Sequence, residues 1–140
     1  MTVPVVENMK SAFQDANSIS AEALARIYHD DVVFIDPVHK LEGLNTLSGY
    51  LSKVYKNVTS CRFQYTDEML LDGRGSVRWR MHLQHPKLNG GEEIVVKGAT
   101  FIEYDDRITY QEDYYDLGAM LYEHITLLGT TVRYVKNRLS

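Results

Sequence analysis

Residues 76–85 read SVRWRMHLQH, and this stretch limits what the chain can become more than any other. Val77, Trp79, Met81 and Leu83 fall on one side, and Arg78, Arg80, His82 and Gln84 on the other. Side chains along a strand point to opposite faces in turn. Strict alternation over eight residues therefore specifies a sheet with one packed face and one wetter face. The neighbouring segments agree. RFQYTDEMLL (62–71) runs into Asp72-Gly73, a hairpin signal. PKLNGG (86–91) turns the chain again, EIVVKGATFIEY (93–104) supplies the next strand, and Asp105-Asp106 leads into RITYQEDYYD (107–116). Gly75 and Gly98 are candidates for the bends of a strongly curved sheet.

The first half reads as helices around one early strand. Val6, Met9, Phe13 and Ala16 recur at helical spacing, ANSIS breaks that helix, and Ser20 caps the next, with Glu22 in its first turn. Leu24, Ile27 and Tyr28 form its apolar stripe. VVFI (32–35) is a strand, HKLEG a short return strand or turn, and Leu47, Tyr50 or Leu51, and Val54 mark a third amphipathic helix. The tail, LGAMLYEHITLLGTTVRYVKNRL, returns to helical spacing as two segments divided at Gly129. Helices segregated onto one side of an antiparallel sheet make an α+β domain, here a cone-shaped one closed by the N-terminal helices, spanning residues 1–140 as a single domain. The mouth of such a cone is a natural small-molecule pocket.

Charge and cysteine usage remove several classes. Fifteen Lys and Arg against nineteen Asp and Glu leave a net charge of −4, which argues against bulk attraction to nucleic acid or anionic lipid. The single cysteine, Cys61, forbids an internal disulfide. MTVPVVENMK carries no basic segment followed by a long apolar run, and no run approaches a bilayer span, so a cytoplasmic location with no membrane insertion is expected. The five histidines show no zinc or iron spacing, so neither metal nor cofactor is expected.

IYHDDVVFIDPVHKLEG (27–43) resembles the corresponding segment of the nuclear transport factor two-like superfamily, which includes ketosteroid isomerase and the SnoaL-like polyketide cyclases. The shared pattern is an aromatic, two acidic residues, a short apolar strand, Asp-Pro-Val, and a Gly ahead of a helix. EDYYDLGAMLYEHITLLG (112–129) is similar to the C-terminal strand and helix of SnoaL-like proteins. The resemblance implies a homodimer formed through the sheet, and an apolar cavity for a small apolar ligand. It places Asp36 at the position of the isomerase's catalytic base, a worked case of pKa tuning in proton-transfer enzymes. It also aligns Ala12 and Ala99 where that enzyme has its two oxyanion donors, which disfavours steroid isomerisation. The cyclases' late aspartate matches Asp116, with Asp113 as the fallback.

The residues themselves leave alternatives open. Asp36 starts an Asp-Pro turn or faces a pocket. Asp116 caps the C-terminal helix or shares a strand face with Tyr114 and Glu112 toward the cavity. His39 shares a proton with Asp36 or sits solvated. Asp36, Asp116 and His39 are thus the candidate catalytic set. Trp79, Met81, Phe101, Tyr114, Phe13 and Phe34 are the candidate ligand contacts. Two functions are compatible with this reading: a cofactor-independent isomerase, cyclase or dehydratase working by proton transfer, and a non-catalytic ligand-binding or assembly module.

Overall fold

A computed structural model describes residues 2–120 and 134–139. The chain opens with helix α1 (Pro4–Ala12), whose first turn holds the proline ring where a missing N–H costs nothing. A 3-10 segment (Phe13–Ser18) breaks it at ANSIS. Helix α2 (Ala21–Ile27) starts where Ser20 Oγ accepts from the Ala23 N–H at 3.1 Å, the expected cap. Strand β1 (Tyr28–Ile35) follows without a loop, so Tyr28 opens the strand and is not part of the helical stripe. β2 (Lys40–Glu42) is the short return strand, and helix α3 (Leu44–Tyr55) packs Leu47 and Leu51 inward while Val54 stays exposed.

The second half is a run of long hairpins: β3 (Ser60–Leu71), β4 (Arg74–Gln84), β5 (Ile94–Tyr104) and β6 (Ile108–Tyr115), then a short helix α4 (Leu117–Met120). The six strands form one sheet in the order β2-β1-β6-β5-β4-β3. Every pairing is antiparallel except β1 with β6, which run parallel. Most of the expected division of the tail at Gly129 lies outside the described residues.

The alternation in β4 is realised as read. Val77, Trp79, Met81 and Leu83 are buried against the helices, and Arg78 and Arg80 are exposed on the other face. Gly98 sits opposite Trp79 on β5. A Cβ there would lie 2.3 Å from the indole ring, so this glycine makes room for tryptophan. A Cβ at Gly75 would likewise lie 2.7 Å from Leu70 Cδ2. Curvature comes from irregular register: β3 bulges between Tyr65 and Asp67, and β5–β6 slips between Glu103 and Tyr104.

Candidate functional site

Asp36 lies one residue beyond β1 and is both turn and interior. Its Oδ1 accepts from the backbone N–H groups of Val38 (2.9 Å) and His39 (2.8 Å), and its own N–H donates to the His39 carbonyl (3.0 Å). Its Oδ2 accepts from the Tyr50 hydroxyl on α3. The side chain is only 5 % exposed, so the turn reading holds and the turn carries its carboxylate inward. His39 stays at the rim: its Nδ1 is 3.7 Å from Asp36 Oδ1, its ring lies 4.8 Å from that of Tyr50, and its side chain is 46 % exposed.

The parallel register that pairs Ile35 with Glu112 brings Asp36, one step on, alongside Asp113. Asp113 faces the interior with Gln111 and Tyr115, whereas Tyr110, Glu112 and Tyr114 face the other side. The expected face for Asp116, shared with Glu112 and Tyr114, is therefore corrected. Counting in twos from buried Ile108 gives that face, but the slip between Glu103 and Tyr104 reverses the parity before Gln111. Asp116 follows the last strand residue, is exposed, and lies 3.7 Å from Lys136 Nζ.

Around Asp113 the hydrogen bonds run one way. Trp79 Nε1 donates to Thr100 Oγ1 (2.9 Å), and Thr100 Oγ1 donates to Asp113 Oδ1 (2.7 Å). From the other side, Tyr28 Oη donates to Gln111 Oε1 (2.7 Å), and Gln111 Nε2 donates to the same Asp113 Oδ1 (3.1 Å). Oδ2 receives no hydrogen bond from any described residue. Since among the described residues no sealed side-chain oxygen or nitrogen lacks a partner, Oδ2 keeps some accessible surface. Burial pushes the Asp113 carboxyl up to about 6. The Thr100 and Gln111 donors pull against that rise, and the charge of Asp36 adds to it.

Phenols complete the surroundings. Burial raises Tyr50, Tyr65 and Tyr115, and all three lie near enough to feel the charge of Asp113. The hydroxyls of Tyr65 and Tyr115 have no partner among the described residues. They supply the kind of donor that Ala12 and Ala99 lack. The Ala99 alignment is itself corrected: Ala99 lies on the outer face opposite Tyr114, and the inward position is its neighbour Thr100.

The aromatic candidates divide between the two faces. Phe13 meets Phe63 edge-on at 5.6 Å, Phe63 meets Trp79 at 4.8 Å, and Trp79 meets Tyr115 at 6.1 Å, forming one interior row. Phe34 is buried beside Tyr50, and Met81 is buried in the core. Phe101 packs on Tyr110 on the outer face, and Tyr114 is 54 % exposed there, so neither meets the carboxylates within one chain. A groove of about 550 Å³ between α1 and β3 shares Tyr65 with this cluster, and a second of about 970 Å³ lies between α2 and α3. Neither is lined by Asp36 or Asp113.

Tyr28, Tyr50, Tyr65, Thr100 and Gln111 were not among the sequence candidates. A signal existed for one of them: carrying the β4 alternation into Ile94, Val96, Gly98 and Ile102 puts Thr100 on the buried side. Among the described residues no group of three or more His, Cys, Asp or Glu is placed to hold a metal, and no helix is long and apolar enough to cross a membrane.

Solved structures share this architecture. A hypothetical protein with a ketosteroid isomerase-like fold from Catenulispora acidiphila DSM 44928, in complex with trimethylamine, is 17 % identical with a TM-score of 0.75, over 91 % of this chain and 95 % of that one. A candidate SnoaL-like polyketide cyclase from Shewanella denitrificans OS-217 is 20 % identical with a TM-score of 0.70, over 84 % and 91 %. TerC, co-crystallised with polyporic acid, is 16 % identical with a TM-score of 0.70, over 84 % and 95 %. At such identities the likeness is one of fold. No curated protein matches the sequence. The family model of the SnoaL-like domain matches residues 6–111, from the first turn of α1 to Gln111 on β6, and the chain belongs to that family.

Proposed function

We propose that this SnoaL-like protein holds a small, largely apolar molecule at Asp113 and moves protons to and from it without a cofactor, as an isomerase, cyclase or dehydratase. The observation that carries this reading is the divided Asp113 carboxyl. Oδ1 is fixed by Thr100 and Gln111, Oδ2 is open, and the proton affinity is raised to about 6. A group that half-titrates near neutrality can both give and accept a proton. Tyr65 and Tyr115 are the donors for an oxygen that gains negative charge in the reaction. Asp36 holds Tyr50 in place, and His39 stands at the entrance. Trimethylamine and polyporic acid in fold neighbours support a site for small molecules. The test is a turnover screen of cyclic ketones and polyketide-like compounds with wild type and Asp113→Asn. Turnover lost in the variant supports the reading, and turnover equal in both refutes it.

A second reading, a binding module without catalysis, is favoured by the saturation of Asp36 by Val38, His39 and Tyr50. It expects Asp36→Asn to leave ligand binding intact and to abolish nothing measurable.

Either reading includes a homodimer formed through the outer sheet face. Exposed Val95 and Tyr114 lie there, with Arg80 and Lys97 paired on one part and Glu103 and Glu112 on another. A two-fold axis can set the basic part of one copy against the acidic part of the next. Light scattering of wild type and Tyr114→Lys checks this, the variant being expected to shift toward monomer.

A further inference from the structure

No lysine or arginine is among the groups that act on the Asp113 carboxyl, which are Thr100, Gln111 and Asp36. Lys10 is held by Glu7 and Glu68, Arg107 by Asp30, and Arg78 by Asp67 at the surface. The titratable groups in reach of Asp113 are one carboxylate, Asp36, and the phenols of Tyr28, Tyr50, Tyr55, Tyr65 and Tyr115. Two carboxylates thus share one end of the fold with no lysine or arginine among the described residues to balance them; the imidazole of His39 stands at the rim, 3.7 Å from Asp36 Oδ1 and on the far side of that carboxylate's turn. In a region of low dielectric such an imbalance is worth far more than at the surface.

The directions of the hydrogen bonds add to this. Trp79, Thr100, Tyr28 and Gln111 all spend donors on the chain that ends at Asp113 Oδ1. Tyr50 spends its proton on Asp36, which leaves its oxygen lone pairs free to accept. What the cluster offers a guest is therefore acceptor-rich: Asp113 Oδ2, the Tyr50 oxygen and aromatic rings, with two phenol hydroxyls able to serve either way. Ring faces carry negative potential and attract cations, most strongly where water is excluded.

We propose that the ligand of this site carries a cationic nitrogen, a protonated or quaternary amine, seated beside Asp113 Oδ2 among the rings of Tyr50, Tyr65 and Tyr115. The proposal deepens the proton-transfer reading and rests on it only in needing a small molecule at Asp113. It adds a requirement on charge that the reaction itself does not make. An ammonium there stabilises the Asp113 carboxylate, so the liganded site is poised as a base.

Choline and 3,3-dimethylbutan-1-ol test it, because the two differ only in N⁺ against C. Trp79 is the chain's single tryptophan and lies in the network, so its fluorescence reads binding directly. Choline is expected to bind about tenfold or more tighter than the isostere at pH 7.5. That preference should collapse in Asp113→Asn and shrink as pH falls through the Asp113 titration. Equal or tighter binding of the isostere overturns the charge requirement and leaves the proton-transfer reading standing. A choline preference undiminished in Asp113→Asn overturns the placement. Failure of both compounds to bind at millimolar concentration overturns the proposal, and the turnover screen then decides the proton-transfer reading on its own.

Discussion

Asp36, just past the end of β1, and Asp113, on its parallel neighbour β6, are the same residue type, and the fold treats them in opposite ways. Asp36 sits where a strand becomes a turn, so backbone N–H groups come to it at no extra cost, and Tyr50 supplies a third donor. Asp113 sits within a strand whose own backbone is committed to β5, so its donors must be side chains, and they reach one oxygen only. Local chain geometry thus decides which carboxylate is bonded through both oxygens and which through one.

The comparison breaks most visibly at Asp113→Asn. The amide oxygen keeps both donors while the proton carrier is lost, and turnover is expected to fall by about 10²–10⁴-fold. Stability should move the other way. The folded value lies above the ordinary 3.8, so between 3.8 and about 6 the native state holds more protons than the unfolded chain. Wild-type stability therefore falls as pH rises through that window and stays lower above it, by on the order of 3 kcal/mol. Asp113→Asn should lack this slope in chemical denaturation across pH 4–8. An equal slope in both proteins would refute the assignment.

Gly98→Ala attacks the support under Asp113 and spares Asp36. The added methyl strikes the Trp79 ring, and a loss of roughly 1–3 kcal/mol is expected by thermal denaturation. Thr100→Val sharpens the contrast. It removes one donor from Asp113 and strands Trp79 Nε1, so about 1–2 kcal/mol should be lost, and the Asp113 titration followed by carboxyl NMR should move upward. Asp36→Asn is the smallest effect. Removing its charge relieves the weakest of the influences raising Asp113, so that titration should shift slightly downward. An upward shift would show that Tyr50 and Asp36 act on Asp113 through packing.

Legibility followed the same division. Asp36 could be read because Asp-Pro after VVFI is a local event, as are the Ser20 cap and the turn at Asp72-Gly73. β4 could be read because its alternation is unbroken. Asp113 could not be assigned to its face, since QEDYYD has no apolar alternation of its own and the residue that breaks the count, Thr109, is skipped in the pairing with β5. Thr100 and Gln111 are polar residues in strands, which composition alone sends to the surface. Their burial follows from each other and from Trp79, a relation between strands that no single segment carries.

β1 finds its parallel neighbour only in β6, some eighty residues later. Sheet pairing at that separation must wait until β6 itself has left the ribosome. A nascent molecule can form the β3–β4 and β4–β5 hairpins and still lack Asp113, because β6 follows them. The juxtaposition of Asp36 with Asp113 is thereby a property of the assembled sheet and of no shorter piece of it.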